Sequence, residues 1–65
     1  MNFSEHELKA SIRTSITRLA MFRNACLMDV APASITVDGH VIKDELEAEG
    51  YLLELEAALR ELEAQ

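Results

Sequence analysis

Hydrophobic positions along this chain fall into three patterns, two with the period of a helix and one with the period of a strand. Leu8, Ile12, Ile16, Leu19, Phe22, Cys26 and Val30 recur at intervals of three and four. At 100° per residue they share one stripe about 120° wide, the core face of a helix. Ser4 and Glu7 make an S-x-x-E capping box in front of it. Phe3 and Leu8 have the spacing of a hydrophobic staple. Pro32 cannot continue a helical ladder and holds Ala31 away from helical angles. The spacing therefore predicts helix 1 over about 5–29, stopping near Val30.

The third pattern is the one with the period of a strand, and it follows that helix. In Ser34–Ile42, two β-branched runs flank Asp38-Gly39. An Asp-Gly pair in this setting signals a type I′ hairpin, because both central residues need positive φ. The expected pairs are Val37 with His40, Thr36 with Val41 and Ile35 with Ile42. Ile35, Val37, His40 and Ile42 would then share the face laid on the helices. The alternative is a loop whose Ile and Val side chains plug the end of a helical hairpin.

Helix 2 is expected over about 44–64, with 30–43 as the connection. Asp44 and Glu47 form a D-x-x-E cap. Leu52 and Leu59 take heptad position a, and Ala48, Leu55 and Leu62 take d, with Tyr51 and Ala58 widening the seam. Two heptads suffice for a packed seam and are short for a free coiled coil. The predicted fold is mainly α: one domain over 1–65, a two-helix antiparallel hairpin with a short β-hairpin or extended connection, which dimerises.

The surplus faces motivate the dimer. Helix 1 carries a second face of Ala10, Thr14, Thr17, Met21, Ala25 and Met28. It is either a lightly polar flank or a contact surface, on which small residues permit close approach and methionine adapts to a partner. Helix 2 carries Leu46, Gly50, Leu53 and Ala57 opposite its Leu seam. Either the Ile35–Ile42 segment or a second subunit must meet that strip. Gly50 costs about 1 kcal/mol relative to alanine in a helix, so it marks either a close approach of another backbone or a tolerated flaw. Sixty-five residues bury little surface, and one cysteine forms no internal disulfide. Self-association is the remaining source of stability.

Charge narrows the partners. The net charge is −6, which disfavours direct nucleic-acid binding. Residues 1–28 carry Lys9, Arg13, Arg18 and Arg23 against Glu5 and Glu7, a net of +2, whereas residues 43–65 have a net of −6. That asymmetry favours helix 1 lying against helix 2. No apolar run fits a signal peptide or a membrane span, and a reduced cytoplasmic setting is expected.

Candidate chemistry is sparse. There is no G-x-G-x-x-G or Walker loop, no H-E-x-x-H, no C-x-x-C and no G-x-S-x-G. The glutamates of helix 2 lack the Glu-x-x-His pairs of helical-bundle metal sites and read as a solvated acidic face. Cys26 falls on the core stripe and reads as a small hydrophobe. His6 and His40 read as solvated side chains. No catalytic residue, cofactor or metal is assigned, and the chain is not expected to be an enzyme.

The order of helix, Asp-Gly hairpin (Ile35–Ile42) and acidic Leu/Ala/Glu helix (Leu52–Leu62) resembles the small phage head–tail joining proteins of the gpW type. That resemblance covers most of the chain, rests on pattern, and implies a role in virion assembly. Those proteins tend to carry a basic surface, which this chain lacks. Its size, acidity and lack of site chemistry equally resemble small phage-encoded factors that bind and disable a host protein. The leading expectation is a non-catalytic homodimer that binds a larger protein and inhibits or modulates it. The alternatives are an assembly component and a nucleotide sponge using Arg13, Arg18 and Arg23.

Overall fold

A computed structural model describes residues 4–65; the Phe3–Leu8 staple lies outside the described residues. The order is α1 (Glu5–Leu27), β1 (Ile35–Val37), β2 (His40–Ile42) and α2 (Glu45–Glu63). Both helices start where their caps place them. Ser4 Oγ accepts from the Glu7 amide at 3.1 Å, and Asp44 Oδ1 accepts from the Glu47 amide at 2.8 Å. Each bond satisfies one of the amides that a helix start leaves without an internal partner.

The end of α1 differs from the expectation. The helix stops at Leu27, before Pro32 can act on it. Asp29 adopts a left-handed conformation at φ 60°. Its amide donates to the Cys26 carbonyl at 3.1 Å, and the Val30 amide donates to the Ala25 carbonyl at 2.9 Å. These two bonds are the Schellman pattern. An aspartate occupies the position that glycine usually takes. Val30 is thereby carried off the core stripe and is 69% exposed.

The connection is a β-hairpin. Asp38 and Gly39 have φ of 51° and 81°, both positive as a type I′ turn requires. The antiparallel register is Ile35 with Ile42, Thr36 with Val41 and Val37 with His40, as the sequence predicts. Val37 and Ile42 are buried against the helices, Ile35 is half-buried, and His40 sits exposed at the edge of that face.

The helices run antiparallel. Arg13 meets Glu63 at 2.9 Å, and Arg23 meets Glu49 at 3.1 Å. One small core holds the chain together: Leu19 and Phe22 from α1, Val37 and Ile42 from the hairpin, Ala48 and Leu52 from α2. Ile16, Cys26, Ala31, Ile35, Tyr51 and Leu55 pack around it. Leu8, at the far end of the predicted stripe, is 39% exposed and lies outside that core. The result is a mainly helical two-layer slab with principal extents of 38 × 23 × 13 Å.

Candidate interaction surfaces

Both surplus faces foreseen in the sequence lie uncovered. On α1, Ala10, Thr14, Thr17 and Met21 are exposed, as is Met28 at its C-cap, and Ala25 is half-buried. Met21 and Met28 are 67% and 72% exposed. The two threonine hydroxyls bond back to their own helix, Thr14 Oγ1 to the Ala10 carbonyl and Thr17 Oγ1 to the Arg13 carbonyl. They are already satisfied without a partner.

On α2, Leu46 is 82% and Leu53 57% exposed, with Gly50 and Ala57 exposed beside them. The hairpin does not fold back over Leu46 and Leu53; its buried residues join the common core instead. Nothing lies within 4 Å of the point where a Cβ on Gly50 would sit. No packing among the described residues requires a glycine there.

A groove of about 300 Å³ runs between α1 and the segment leading into β1. Met21, Phe22, Ala25, Pro32 and Ile35 make an apolar lining, and Arg18 supplies its one charged side chain. The other cations of α1 are engaged, Lys9 with Glu5 at 3.3 Å, Arg13 with Glu63 and Arg23 with Glu49. Among the described residues Arg18 makes no ion pair. The three arginines of the sponge reading therefore do not converge on one pocket.

A second cluster organises the turn. Asp38 Oδ2 accepts from Ser15 Oγ of α1 at 3.0 Å and from the Tyr51 hydroxyl of α2 at 3.4 Å. The His40 ring lies 4.8 Å from the Tyr51 ring, tilted by 53°. Burial raises the Tyr51 pKa above its usual 10.0, and the negative charge of Asp38, its hydrogen bond and Glu54 act in the same direction. Sequence reasoning missed this cluster. Its only signal was Ser15, a polar residue beside the core stripe, 5% exposed in the fold.

Cys26 is half-buried against the core. Among the described residues, no group of three or more His, Cys, Asp or Glu is placed to hold a metal ion. No described helix is long and apolar enough to cross a membrane. No protein family, curated protein or solved structure matches this chain.

Proposed function

We propose that this chain is a small non-catalytic interaction module, a homodimer that binds a larger protein and inhibits or modulates it. The observation that carries this reading is the pair of uncovered apolar faces, Met21 on α1 with Met28 at its C-cap, and Leu46 and Leu53 on α2. Scattered exposed hydrophobics are ordinary, but here they lie at helical spacing on two separate faces of a small protein. One face builds the dimer. The other, beside the acidic flank of α2, docks on an apolar or basic patch of the target and competes with that target's own partner.

The test is affinity capture from the native host, with wild type beside Met21→Glu, paired with sedimentation of both. A specific partner or a dimer that is lost in the variant is the expected result. A strict monomer that retains no partner sinks the proposal.

A second reading, a virion assembly component, is favoured by the order of elements, a helix, an Asp-Gly hairpin and an acidic helix. It predicts association with capsid proteins. A discrete dimer that never co-purifies with particles counts against it.

A further inference from the structure

We infer that a second copy of this chain fills the groove beside Arg18 with the outer strip of its α2, Leu53 entering first. The inference rests on the self-associating module proposed above and names the contact that builds it. Two halves of an interface are present on one molecule. The groove is apolar, about 300 Å³ in volume, and lined on one side by Arg18, which makes no ion pair among the described residues. The strip presents Leu53 more than half exposed, and Glu54 beside it makes no ion pair among the described residues. The lining holds no acidic residue, so the Arg18 charge is left to attract one from outside.

Gly50 supplies an independent reason to choose α2 as the occupant. A helical glycine with open space around its missing Cβ is a local weakness unless another backbone comes close. Gly50 lies one turn before Leu53, and Ala57 one turn after it. With these two small residues on either side, the helix can approach the groove walls while Leu53 reaches in. The groove belongs to α1 and the strip to α2, so a two-fold pair makes the contact twice, each copy's strip in the other's groove. Met28, Leu46 and the acidic flank of α2 are left for the larger partner.

Sedimentation velocity of the full chain over a range of concentrations tests this. Wild type should show a mass that rises above the monomer with concentration. Arg18→Glu and Leu53→Asp each weaken association by about tenfold or more, with helical circular dichroism unchanged because both positions are exposed. Glu54→Lys alone also weakens it. Mixing Arg18→Glu with Glu54→Lys restores association above that of either variant, because the reversed charges meet. Association that survives both Arg18→Glu and Leu53→Asp overturns the groove–strip contact while leaving a dimer through another face. A monomer at every concentration overturns both that contact and the homodimer.

Discussion

Ser15 Oγ donates a 3.0 Å hydrogen bond to Asp38 Oδ2, joining the middle of α1 to a turn 23 residues further along the chain. Asp38 does two things at once. Its backbone takes the left-handed conformation that the hairpin needs, and its carboxylate satisfies a buried hydroxyl. Asp38→Ala should therefore cost about 2–3 kcal/mol, combining an unsatisfied buried group with a poorer left-handed residue. Asp38→Asn keeps an acceptor and tolerates that conformation, so it should cost about 1 kcal/mol or less. Urea denaturation midpoints of the two variants check the ranking.

Asp29 offers the opposite change. It is left-handed at the C-terminal end of α1, where the helix dipole also disfavours an acid. Asp29→Gly should raise stability by about 1 kcal/mol, a gain of roughly 4–8 °C in Tm for a chain of this size. Thermal melts decide it, and a lower Tm would contradict the Schellman assignment.

Tyr51 is the only tyrosine and the chain has no tryptophan, so its phenolate can be followed by absorbance without interference. Its pKa in the folded protein lies above 10.0, first through burial and then through Asp38 and Glu54. The folded state thus holds the phenolic proton more tightly than the unfolded state. That contribution to stability is fully present below pH 10.0 and is lost as pH rises through the folded pKa. Asp38→Asn should move the titration midpoint down towards the ordinary value. An unchanged midpoint would leave burial and Glu54 as the causes.

Gly50→Ala separates folding from association. Its Cβ meets open space, so the variant should be more stable by about 1 kcal/mol. The same methyl group stands on the strip assigned to the second copy, so self-association should weaken. Melting and sedimentation of one sample read both signs.

The sequence was most legible where the rules are local. The capping residues Ser4 and Asp44, the Asp38-Gly39 turn with its register, and the Ala48–Leu62 seam each depend on a few neighbouring positions. The end of α1 was displaced because Pro32 is a conspicuous breaker, whereas an aspartate standing in for a C-terminal glycine carries no clear mark. The Ser15–Asp38–Tyr51 cluster was invisible for a different reason. Its members come from three elements, and only tertiary packing brings them together. Of the candidate surfaces, the residues themselves were legible as faces opposite the two core stripes. The groove was not, since Pro32 and Ile35 join Met21 and Ala25 only after the chain has turned back on α1.

The two interhelical ion pairs differ in what they fix. Arg13–Glu63 and Arg23–Glu49 are substantially exposed, and pairs of this kind contribute about 0.2–1 kcal/mol each. The α2 seam, however, repeats itself. A slide of seven residues, about 10.5 Å along the axis, puts Leu59 in the place of Leu52 and Leu62 in that of Leu55. The leucines scarcely distinguish the two alignments. Ala48 does, because the slide would bring Leu55 to the place where Ala48 is fully buried. Arg13 adds a second mark: the slide carries Glu63 away from it, whereas Glu56 takes the place of Glu49 beside Arg23. One pair indexes the docking, and the other would hold in either alignment.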